Sequence, residues 1–94
     1  MQVHGRTQFM ILLRSAGSAA LNFGEAQGTN TVKDNIHKLS ISLKESKESQ
    51  VNLKVLDKVS YAESSKRSHL LDEVEQIIKI VATLTLVLEL DYCT

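Results

Sequence analysis

The chain has 94 residues, with 11 basic groups against 11 acidic ones, 43% hydrophobic residues, two Phe, two Tyr, no Pro, no Trp and one Cys. That length accommodates one small domain over residues 1–94, marginal in stability unless chains associate. The unpaired Cys93 excludes a disulfide scaffold, the apolar content excludes wholesale disorder, and zero net charge removes the field typical of nucleic-acid binders.

Taken from the N-terminus, the apolar core Phe9–Leu13 is five residues before Arg14 ends it. A secretory signal needs about 7–15, so the expected location is cytoplasmic. Phe9, Leu13, Ala16, Ala20 and Phe23 recur at spacings of 4, 3, 4 and 3. This predicts a helix over 7–27 with those residues on one face, which Leu12, Ala19 and Ala26 widen on one side. Gly28 is the expected stop, in the left-handed conformation Gly reaches cheaply. Gly17 and Gly24 lie inside the helix at a cost of roughly 1 kcal/mol each against Ala, which suits close helix approach.

Thr31 with Asp34 three positions on reads as the N-cap of a second helix, over 32–58. Ile36, Leu39, Leu43, Leu53 and Leu56 form its apolar stripe, and Ser46 and Gln50 weaken its middle. Polar residues there imply either a solvent opening or a hydrogen-bonded layer inside the bundle. A loop over 60–65 precedes a third helix over 66–90, capped by Ser65 or Ser68, with Asp72, Glu73 and Glu75 in its early turns. Leu70, Val74, Ile77, Val81, Leu84 and Leu88 supply its stripe, and Leu71, Ile78 and Thr85 its flank. The tail from Thr83 to Leu88 also alternates like a strand, but the helical period runs straight into it. The apolar run Ile77–Leu90 carries Lys79 and Glu89 and is too short to span a membrane. The predicted fold is all-α, an antiparallel bundle of three helices joined by short loops.

Chemistry is sparse. His4, His37 and His69 have no second His or Cys at i+3 or i+4, and no phosphate loop or nucleophile elbow is present. No enzyme activity, metal or cofactor is expected. Two surfaces stand out instead. Arg14, Ser18, Asn22 and Glu25 form a polar strip on the first helix, opposite the Phe9–Phe23 stripe. His37, Lys44, Lys47, Lys54 and Lys58 share one shoulder of the second helix, broken only by Val51. These basic residues are the candidate nucleic-acid contacts, for RNA or DNA. Residues 36–58 carry net +2 and residues 59–94 net −3, so the neutral chain is dipolar.

The stretch from Leu13 to Gly28 resembles the central motif of the bacterial four-helix bundle family that includes proteins encoded in intervening sequences of 23S ribosomal RNA genes, the S23-like proteins. Its pattern, roughly L-R-x-x-x-S-x-x-x-N-x-x-E-(A/G)-x-G, is matched at Arg14, Ser18, Asn22, Glu25 and Gly28. Lys33-Asp34, His37-Lys38-Leu39 and Ser42-Leu43-Lys44-Glu45 continue the likeness into a second motif, and Leu71, Glu75, Ile77 and Ile78 resemble the closing helix. The resemblance covers residues 9–90. It implies that the three helices correspond to helices two to four of a four-helix bundle. The first helix would then be lacking and a groove left where it packs. It further implies ring-like homo-oligomers acting as adaptors or scaffolds, with protein partners. Related bundle proteins accessory to diversity-generating retroelements bind nucleic acid and a reverse transcriptase, which puts the basic residues of the second helix forward as nucleic-acid contacts.

Overall fold

The structure, a computed structural model, describes the backbone of residues 2–93 and the side chains of residues 5–90 and Tyr92. Helix α1 spans Gln2–Gln27, α2 Val32–Lys58 and α3 Ser64–Cys93, with no strand among the described residues. The two connections are short, so successive helices run antiparallel, and α1 and α3 are parallel to one another. Both pack on α2, while no Cα of α1 comes within 8 Å of α3. The molecule measures 51 × 19 × 15 Å, a three-helix layer folded about its middle member.

Local signals account for most boundaries. Thr31 is extended (φ −129°, ψ 153°), and its hydroxyl accepts from the Asp34 amide at 3.1 Å, satisfying one of the free donors at the start of α2. Helix α1 stops at Gln27, but no glycine has a positive φ, so Gly28 is not the left-handed cap expected. Thr29 takes over: its amide and hydroxyl both donate to the Ala26 carbonyl, at 3.4 and 2.9 Å. The left-handed residues are Ser60 (φ 54°) and Ala62 (φ 65°), in the α2–α3 turn. Arg67 holds that turn, donating from Nε to Asp57 Oδ1 at 2.7 Å and from NH1 to the carbonyls of Tyr61 and Ala62.

Helix α3 begins earlier than its serines suggest. The Glu63 carbonyl accepts from the Arg67 amide at 3.0 Å, so Ser65 and Ser68 lie inside the first turns, and Asp72, Glu73 and Glu75 fall beyond the first turn where the dipole acts. Helix α1 likewise starts five residues before the expected Thr7. Gly5 is buried there under Tyr61, whose ring also stacks on Phe9 at 5.8 Å between centroids.

The core is split in two. Near the α2–α3 turn, Leu12, Leu53, Leu56 and Val74 pack together with Tyr61, Leu71 and Ile78 against them. At the other end Ala26, Leu39 and Val81 pack with Phe23, Leu43 and Leu88. Between the clusters lies a buried polar layer of Ser15, Ser42, Ser46 and Ser49. Ser15 and Ser49 hydroxyls are 2.8 Å apart, Ser42 donates to the Ala19 carbonyl at 2.8 Å, and Asn52 bridges from Ser15 to Gln8. Ser46 is buried in this layer and lines the cleft beside it, and the small serine side chains let α1 approach α2 closely.

Candidate functional site

Three surfaces carry the chemistry of this chain. The first is the polar strip of α1. Arg14 reaches Glu48 at 3.3 Å and Glu45 at 3.9 Å, and Glu25 pairs with Lys38 at 2.8 Å. Asn22 donates back to the Ser18 carbonyl at 2.9 Å, and both are half-buried. All the cross-helix partners are on α2, so the strip edges the α1–α2 seam rather than lying opposite the packed face. Arg14 Nη1 is too far from Glu45 Oε2 for a hydrogen bond, and that oxygen is buried without one. The exposed pair with Glu48 contributes at most about 1 kcal/mol, so its role is registration of the two helices.

The second surface is the outer shoulder of α2. His37, Lys44, Lys47, Lys54 and Lys58 are all exposed there. Over 21 residues the row extends roughly 32 Å at the α-helical rise. Among the described residues none of the four lysines has a carboxylate within 4.0 Å; the nearby acids Glu45 and Glu48 turn to Arg14, and Asp57 to Arg67. Lys44 and Lys47 border a shallow depression of about 690 Å³ shared with Ile11, Val51, Thr85 and Glu89. Lys54 and Lys58 lie beyond it along the helix.

The third surface was misplaced by periodicity alone. Phe9, Leu13, Ala16 and Ala20, the expected buried stripe of α1, are exposed, while Leu12, Ser15 and Ala26 turn to α2. On α3, Leu70, Ile77 and Leu84 are likewise exposed, and the expected flank of Leu71, Ile78 and Thr85 is buried or half-buried instead. Val74 and Val81 of the α3 stripe are buried as expected, while Ala16, Ala20 and Phe23 of α1 face Ile77 and Ile80 of α3 across an open cleft of about 450 Å³ floored by Ser42, Ser46 and Ser49. The physical reason is that each apolar arc is wider than one neighbour covers. Helix α2 takes one edge of each arc, and the other edges are left looking into the gap. The signal was present in α3, where Ile80 and Val87 extend the arc beyond the heptad positions.

Among the described residues no group of three His, Cys, Asp or Glu side chains converges as a metal site would require. Nor is any helix long and apolar enough to cross a membrane.

An all-helical layer of three helices held by a serine-rich seam is a helical bundle. The chain belongs to the 23S rRNA-intervening sequence protein family, whose model matches residues 10–83. It is similar in structure to a protein of unknown function of the S23 ribosomal protein family from Bacteroides thetaiotaomicron VPI-5482, with a TM-score of 0.78 and 27% identity over 83% of this chain and 72% of that one. No curated protein matches the chain in sequence. Neither the family description nor that of the related structure carries an enzymatic activity.

Proposed function

We propose that the chain is a non-enzymatic, self-associating helical adaptor or scaffold of the cytoplasm. The observation that supports this is the open cleft between α1 and α3, whose walls include the exposed Ile77 and Ile80, with Leu13, Leu84 and Val87 also exposed on the same two helices. A contiguous apolar face of this kind on a small chain marks an interaction surface. Light scattering across a concentration series is the test. Species heavier than the 10.4 kDa chain are expected, and a single monomer at every concentration would remove this reading.

A second reading, an accessory protein for RNA or DNA, is favoured by the unpaired row Lys44, Lys47, Lys54 and Lys58. In an assembly the row repeats, so contacts too weak in one chain add by multivalency. Each lysine on a duplex phosphate contributes a slope of about −0.9 in log K against log salt. Changing all four to Gln is therefore expected to flatten the salt dependence by up to about four contacts while leaving the fold intact. A titration of labelled structured RNA and duplex DNA at two salt concentrations measures this. Equal affinity for the native and substituted chains would exclude the basic row.

A further inference from the structure

We propose that the outer face of α2 docks an acidic amphipathic helix of a partner protein. The apolar side of that helix lies on Val51, Val55 and Ile11, and its carboxylates meet Lys44, Lys47, Lys54 and Lys58. This rests on the adaptor reading and names the partner that reading leaves open. It gives to a protein the lysines that the second reading gives to nucleic acid.

The face is distinct from the cleft between α1 and α3. At about 100° per residue, Lys44, Val51 and Val55 lie roughly half a turn around α2 from Ser42 and Ser46, which floor that cleft. Helix α2 is the middle member, packed by both others, yet Val51 is 58% and Val55 40% exposed. Ile11 of α1, 39% exposed, borders the same shallow depression as Lys44, Lys47 and Val51. Apolar and basic side chains therefore share one open surface.

Charge sets the sign of the partner. The four lysines fall within an arc of about 80° and extend about 21 Å along the axis. Among the described residues no carboxylate lies within 4.0 Å of any of them, because Glu45 and Glu48 turn to Arg14, and Asp57 to Arg67. An acidic helix of about four turns matches that length and ends with the row. A duplex carries phosphates well past both ends of it, where the exposed Asp72, Glu73 and Glu75 of α3 repel them.

The valines decide between a helix and a phosphate backbone. Val51 and Val55 are four residues apart and make an apolar ridge beside the lysines. Phosphates and sugars gain nothing by covering it. An amphipathic helix buries it under its own apolar side, as helices do in hydrophobic grooves. The lysine spacings of 3, 7 and 4 are those of carboxylates along one side of such a helix, and the lysine stems add apolar contact of their own.

The test titrates the whole chain with a labelled helical peptide of about sixteen residues, Leu along one side and Glu beside it, read by fluorescence anisotropy. A scrambled peptide of the same composition, a labelled DNA duplex and vesicles of phosphatidylglycerol are titrated alongside. The amphipathic peptide is expected to bind at least about tenfold more tightly than the scrambled one. Val51→Ser with Val55→Ser is expected to weaken the peptide about tenfold and leave the duplex titration unchanged, with helicity retained by circular dichroism because both positions are exposed. Changing the four lysines to Gln is expected to abolish peptide binding. Equal affinity for the two peptides, or full peptide affinity in the valine variant, overturns the proposal. Tighter binding of the duplex or the vesicles than of the peptide, insensitive to the valines, overturns it in favour of phosphate. A chain that self-associates by light scattering yet ignores the peptide overturns this proposal and leaves the adaptor reading standing.

Discussion

Ser15 is fully buried, yet its hydroxyl is what α1 and α2 share. It donates to the Leu12 carbonyl at 3.1 Å, meets Ser49 at 2.8 Å and accepts from Asn52 at 3.3 Å. Ser15→Val removes those partners and adds a methyl group where the helices are closest. The expected loss is about 1–3 kcal/mol in urea denaturation, from an orphaned Asn52 donor and overpacking together. Ala62 is the opposite case, a residue held in a conformation it disfavours (φ 65°) because Arg67 clamps the turn. Left-handed backbone costs a non-glycine residue about 1–2 kcal/mol, and glycine gives back about 0.5–1 through unfolded-state entropy. Ala62→Gly is thus expected to stabilise the chain slightly, read as a rise in thermal midpoint; a fall would mean that the turn does not carry this strain. The Ser15–Ser49 pairing was not legible in sequence, since its two hydroxyls lie 34 residues apart on different helices. The Thr31 cap was legible, because donor and acceptor lie three residues apart.

At the scale of elements, α1 shows how a periodic pattern can be right about helix and wrong about direction. Its apolar arc includes both Leu12 and Leu13, and a spacing of 3 and 4 is satisfied by either edge. The deciding contacts are with α2, whose Ser42, Ser46 and Ser49 offer a shallow seam that accepts Ser15 and Ala26 rather than Phe9 and Leu13. On α2 the ambiguity is absent: its stripe is narrow, and Leu39, Leu53 and Leu56 are buried as expected. The consequence for α1 is that Gly17 and Gly24 face open space rather than a neighbouring helix of the same chain. Gly17→Ala, measured at concentrations where the chain is monomeric, is expected to add about 1 kcal/mol to stability through helix propensity alone. An unchanged or lower denaturation midpoint would mean that another segment approaches that position.

For the whole molecule, a layer of three helices leaves many apolar side chains of its outer members exposed. Whatever binds the folded chain and not the unfolded one raises apparent stability by mass action, and under the proposed self-association a second copy would supply that term. Under that reading the thermal midpoint is expected to climb with protein concentration in a calorimetric series, and to lose that dependence when the exposed Ile80 and Leu84 are both changed to Glu. The sequence by itself determined that the chain is helical, with three segments in antiparallel succession and a basic shoulder on the second. It also carried the motif from Leu13 to Gly28 that points to the family the comparison with known proteins assigns. Those features depend on residues within a few turns of one another, where propensity, capping and spacing act. Only the tertiary structure decided that the polar strip of Arg14, Ser18, Asn22 and Glu25 borders a helix seam, and that Ala16, Ala20, Ile77 and Ile80 look into a gap. Which edge of a broad apolar arc is buried depends on how closely two helices approach and how far a third is held away. Here the distant Ser15–Ser49 layer sets that distance.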